Sequence, residues 1–164
     1  MARYRPLACS AAVAALAAPL LLLASDVALS RFVSTLGLTL QRVALVLFVP
    51  AIAGVATLAR DRAPWQVAAG AGLAALGAAA IALTPETLVV PTRLPALLFP
   101  LGLLILSGAM IGSAVPRRTA ALIAAGALLF PMGHVTGVPA VLIGGDVILL
   151  AAFSSLAPRV GRLG

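Results

Sequence analysis

Six mostly apolar runs follow one another along the chain, separated by charges or by clusters of Pro and Gly. A bilayer core roughly 30 Å thick is crossed by about 20 apolar helical residues, and most of these runs have that length. The half-buried elements of a soluble fold need a polar face, and these runs have too few polar residues to build one. Composition agrees, since 63% of residues are hydrophobic and 9% charged, against about 25% charged in a soluble domain. With 164 residues shared among six spans, only short connections remain. The expected fold class is all-α, a polytopic transmembrane helix bundle of about six spans forming a single integral membrane domain.

Spans are expected at about 7–24, 36–59, 65–83, 94–115, 119–134 and 138–156. Gln41 and Arg42 interrupt the first half of the second span, so Val43 is its alternative start. Pro19 removes a backbone donor and predicts a kink in the first. Pro131 to Pro139 contains two Pro and two Gly, which reads as a turn. It leaves the fifth helix only about fifteen residues, roughly 22 Å and short for a full crossing. Met1 to Arg5 has the basic leader of a secretory signal. The uncharged stretch from Leu7 to Ala24 is longer than an h-region of about 7 to 15 residues, however, so a retained first helix is expected. The hydrophobic stretch comes after Cys9 instead of before it, against a lipoprotein, and as the single Cys it forms no internal disulfide.

The formal net charge is +7, but the basic residues sit in small clusters between apolar runs and build no continuous basic face. That argues against nucleic acid and for positive-inside topology. All 11 basic residues are Arg, with no Lys and no Asn, which reads as the codon bias of a GC-rich bacterial genome. A bacterial cytoplasmic (inner) membrane is the expected location. With the N-terminus inside, Arg3, Arg5, Arg60, Arg62, Arg117, Arg118, Arg159 and Arg162 fall on the cytoplasmic side, and only Arg31, Arg42 and Arg93 outside. The bias places both termini in the cytoplasm.

Lipid is as apolar as Leu, so such helices associate through small residues and a few polar contacts. Gly108 and Gly112 form a small-xxx-small pair, as do Ala68 and Gly72, Ala8 and Ala12, and Ala14 and Ala18; Gly144 and Gly145 are a further place for close approach. Besides the lipid bilayer, the same motif fits a homo-oligomer or a partner membrane protein. Leu97-Leu98-Phe99-Pro100-Leu101-Gly102 is echoed by Leu128-Leu129-Phe130-Pro131-Met132-Gly133 and, more loosely, by Phe48-Val49-Pro50. This is either an internal duplication or chance in a Leu-rich chain.

An ionisable group inside a membrane is costly and marks a candidate site. Asp146 is the leading one, expected about 12 Å below the outer end of the last span. Arg42, Gln41 and His134 are expected at a similar depth, where the four would line an outward-facing polar cavity for a small polar solute or a proton relay. The alternatives are a structural Asp146 that pairs with Arg42 or caps a polar seam, or an Arg42 that snorkels to the headgroups with His134 an ordinary loop residue. Asp26, Arg31, Glu86 and Arg93 are expected to be interfacial. Enzyme chemistry has little support, because Ser107 and His134 differ in depth, no Lys is available for a Ser-Lys dyad, and one His with one Cys is too little for metal or haem. No cofactor is expected, and no catalytic residue is assigned.

Two readings therefore stand: a transporter-like or solute-binding membrane subunit, or an accessory or assembly protein that packs on other membrane proteins. For the topology, a reporter fused after Gly164 is expected on the cytoplasmic face; a periplasmic signal would contradict the orientation.

Overall fold

The computed structural model describes residues 5–31, 35–83 and 93–162. They form six helices: α1 (Arg5–Arg31), α2 (Thr35–Thr57), α3 (Pro64–Leu83), α4 (Arg93–Met110), α5 (Arg117–Thr136) and α6 (Pro139–Gly161). There is no strand among the described residues. Five helices are long and apolar enough to cross a membrane, and α4 is the shorter one. Leu16, Leu20, Val46, Leu76, Leu101 and Val147 all point outward, a surface that water would not tolerate and hydrocarbon accepts. The protein is a helical membrane bundle.

Each helix packs antiparallel on the next, and α6 returns to α1, closing a ring. The arginines divide its two ends. Exposed Arg60, Arg62, Arg117, Arg118, Arg159 and Arg162 gather at one. At that end Arg159 donates to the Ala114 carbonyl oxygen at 2.9 Å, tying the α4–α5 connection to the end of α6. One turn deeper α1, α2 and α6 meet, where a Cβ on Gly54 would collide with Ala11 and Val160.

The middle of the ring is solid. Phe48, Phe99, Phe130 and Phe153 are all at most 4% exposed. Their rings meet edge to face, Phe153 on Phe48 at 5.4 Å, Phe48 on Phe99 at 5.3 Å and Phe99 on Phe130 at 5.5 Å. Such pairs contribute about 0.5–1.5 kcal/mol each beyond their burial. Three of the four are the Phe of the repeated Phe-Pro segments, so the repeat has a structural counterpart: from α2, α4 and α5 it sends a ring to the same centre.

Several helix ends differ from the sequence expectation. The first helix continues past residue 24 to Arg31, because Ser25 and Asp26 turn inward, each at most 6% exposed, and so do not end the span. The fifth helix is not short. It has 20 residues with Pro131 inside it, since one lost backbone bond is tolerable where neighbouring helices hold the chain. The turn is confined to Gly137, in the left-handed region at φ +65, and Val138, with Pro139 opening α6. The fourth helix stops at Met110 and not near residue 115, and Gly112 follows at φ +85. The last helix runs on through Pro158 to Gly161.

The small-residue contacts also lie elsewhere than expected. Gly112 is in a turn, and a Cβ on Gly108, Gly72 or Gly144 would meet nothing within 4 Å, so Gly108–Gly112 and Ala68–Gly72 do not pack helices together within the chain. The closest approach is between α3 and α4. A Cβ on Gly102 would land on the Ala74 backbone, one on Gly77 on the Phe99 backbone, and one on Gly70 within 2.6 Å of the Leu106 amide nitrogen. Gly145 does face its neighbour, with Leu129 Cβ 3.2 Å from the added carbon.

Gly102→Val is accordingly expected to destabilise the bundle by about 1–3 kcal/mol or more, because backbone, not a movable side chain, fills the space. Gly108→Ala is expected to be neutral or slightly stabilising. Thermal unfolding in detergent compares the two, and equal losses would refute the assigned α3–α4 interface.

Candidate functional site: a buried carboxyl pair

Of the ionisable side chains whose burial is described, two are buried, and they meet. Asp26 comes from α1, about a turn and a half before its end; Asp146 comes from α6, about two turns after its start. Both lie in the half of the bundle away from the arginine-rich end. Asp146 is 1% exposed and Asp26 6%, and the two carboxyls are within reach of one another. Neither oxygen of Asp146, nor Oδ2 of Asp26, has a hydrogen-bond donor.

The local sequence explains the meeting. On α1 the buried apolar residues include Ala11, Ala14, Ala15, Ala18 and Leu22, spaced three and four apart along one face, and that stripe continues into Ser25 and Asp26. Ser25 Oγ donates to the Gly37 carbonyl oxygen at 2.9 Å, holding α1 to α2 at this level. On α6, Gly145 brings the backbone against Leu129 and Phe130 of α5, so Asp146 is carried at the level of Phe130.

His134 stands one turn beyond Phe130, in the last turn of α5 rather than in a loop after it. Its side chain is exposed. Its Nδ1–H donates to the Phe130 carbonyl oxygen at 2.9 Å, and its ring lies 4.5 Å from the Phe130 ring. A carbonyl only accepts, so in this bond Nδ1 is the donor. The imidazole is near enough to Asp26 to act on it electrostatically.

Arg42 and Gln41 fall differently. Arg42 is exposed on α2 and makes no hydrogen bond to Asp146, whose oxygens have none; Gln41 is half-buried on the same helix. The expected Asp146–Arg42 pair is thus replaced by Asp146–Asp26. The physical reason is helix order: α6 closes the ring on α1, and α1 stays helical far enough to deliver its acid. Asp26, expected at the interface, is the residue that sequence reasoning missed. Glu86 and Arg3 lie outside the described residues.

No family model, no curated protein and no solved structure matches this chain. The site has therefore to be read from its own chemistry.

Other polar groups are occupied locally. Ser107, Ser155 and Thr136 hydrogen-bond to carbonyls of their own helices, the usual way a hydroxyl is satisfied in lipid. Ser107 lies within a turn of the arginine-rich end of α4, and His134 at the opposite end of α5, so no Ser–His dyad forms. No group of three or more His, Cys, Asp or Glu able to hold a metal occurs among the described residues.

Facing carboxyls without donors are completed by a proton: a carboxyl–carboxyl hydrogen bond exists only when one partner carries it. Asp146→Asn, whose amide donates to Asp26, is expected to leave stability within about 0.5 kcal/mol. Asp146→Ala, which removes the partner and leaves Asp26 against apolar walls, is expected to cost about 1–3 kcal/mol. A double-mutant cycle over Asp26→Ala and Asp146→Ala measures the coupling, and strict additivity would mean that the two do not interact.

Proposed function

We propose that this protein is a small transport-type subunit of a bacterial cytoplasmic membrane, with both termini inside, whose Asp26–Asp146 pair takes up and releases a proton. The observation that carries the reading is the pair itself: two acids from opposite ends of the chain, buried together in a bundle otherwise sealed with Ala, Leu and Phe. Mid-membrane carboxyls in helix bundles characteristically serve proton and ion pathways. A proton suits this pair better than a metal cation. Hard cations take about six or more oxygen ligands, whereas the pair offers its carboxyl oxygens alone and Ser25 Oγ is directed at Gly37.

His134 gives the pair a route to water. Its side chain is exposed on α5, and the ring is anchored on Phe130. The phenylalanine-filled centre blocks any continuous channel, so on this reading the proton reaches the pair from the His134 side and leaves toward the arginine-rich end only when a helix rearrangement opens that side.

The accessory reading draws on the burial. An acid pair that is closed off and holds one permanent proton is a polar clamp between α1 and α6, and needs no traffic. Reconstituting the full chain in liposomes that enclose a pH-sensitive dye separates the two. Transport predicts proton uptake driven by an imposed potential, at least tenfold slower in Asp146→Asn and Asp26→Asn although both fold. Uptake at the rate of protein-free liposomes would sink the transport reading and leave the clamp.

A further inference from the structure

The arginine-rich end carries two grooves of nearly the same size and build. One lies between α2 and α3, about 370 Å³, walled by Ala56, Ala68 and Ala71 with Arg60 and Trp65 at its mouth. The other lies between α4 and α5, about 350 Å³, walled by Ala120, Ala121 and Ala124 with Arg117 at its mouth. Both open laterally from the bundle, and both fall within the volume range of small-molecule clefts, roughly 300–1,000 Å³.

The arginines of this end have separate tasks. Arg159 is bonded to the Ala114 carbonyl oxygen and holds the α4–α5 connection, and the Arg62 guanidinium lies over Gly112. Arg60 and Arg117 instead stand where an apolar trough meets water. Trp65 is 87% exposed, and an indole at the end of a spanning helix belongs at headgroup level, its ring in the interface and its N–H toward water. Asp61, beside Arg60 and exposed, leaves a net positive charge on the α2–α3 connection once Arg62 is counted.

We propose that the α2–α3 groove binds an anionic phospholipid, its phosphate on Arg60, Trp65 beside the headgroup and an acyl chain along Ala68 and Ala71. Charge selects the occupant: a trough with an apolar floor and a guanidinium at the headgroup boundary matches a lipid that is apolar for most of its length and negative at one end. A zwitterionic lipid fills the floor equally well but gains less at Arg60. The α4–α5 groove repeats the arrangement with Arg117. The site is independent of the carboxyl pair, which lies in the other half of the bundle.

Trp65 is the single Trp of the chain and reports on this groove directly. The full chain in detergent is titrated with phosphatidylglycerol brominated on its acyl chains, and separately with phosphatidylcholine brominated in the same way, following Trp65 emission. Quenching is expected at an about fivefold lower mole fraction of the anionic lipid, the ratio that corresponds to about 1 kcal/mol per interfacial Arg. Arg60→Ala is expected to abolish that preference while Arg117→Ala keeps it. Equal quenching by the two lipids, or a preference that survives Arg60→Ala, would overturn the proposal. An emission change with inorganic phosphate alone that matches the phosphatidylglycerol response would also overturn it, by making the site one for free anions.

Discussion

Helices in hydrocarbon gain nothing from hiding apolar surface, so what holds this bundle together is how closely its backbones approach. Packing of small residues supplies that in place of the hydrophobic effect. The α3–α4 interface shows the principle in its tightest form: Gly70, Gly77 and Gly102 leave no room for even a methyl group. Ala74 and Ala78 are fully buried beside them. The attraction between any two carbon atoms across this seam is weak, but it recurs over several turns, and dispersion sums with the number of close atom pairs. The α5–α6 interface repeats the device with Gly126, Gly133 and Gly145.

Close walls leave a narrow interior, and four phenylalanines are enough to fill it. A ring of six helices with larger side chains at the interfaces would stand further apart and need either more filling or water inside. Here the edge-to-face chain from Phe153 through Phe48 and Phe99 to Phe130 closes the centre, and His134 extends it to the surface. The polar elements sit off this axis. Ser25 with Gly37 ties α1 to α2, Thr119 with Ser155 ties α5 to α6, and the two acids tie α1 to α6. In a medium without water each of these has to find its partner within the protein.

The helical membrane fold was legible from run length and charge spacing, because both are properties of single helices. The α5–α6 turn was placed too widely for a related reason. Pro131 and Gly133 look like turn residues in isolation, yet Gly133 is where Leu142 packs, a Cβ there falling 2.6 Å from its Cγ, and Pro131 lies inside a continuous helix. Asp146 was visible because it stands alone in an apolar run. Its partner was not, since Asp26 sits near the end of its run, where acids usually mark an interface, and only knowing that α6 lies against α1 turns it inward. The face on α1 did carry the signal: the three- and four-residue spacing from Ala11 through Ala18 and Leu22 leads to Asp26. Gly108 and Gly112 do not pack a second helix of this chain, because spacing alone does not say which side of a helix has a neighbour.

Around the ring each interface joins helices that follow each other in sequence, except the closing one, α1 with α6, which joins elements separated by most of the chain. During synthesis the early spans enter the bilayer well before the last one is made. Asp26 therefore waits in lipid without its partner, its companion arriving only when α6 does. The acid pair is thus a contact that only the completed ring can make: a chain truncated before Asp146 keeps a lone carboxyl at an open seam.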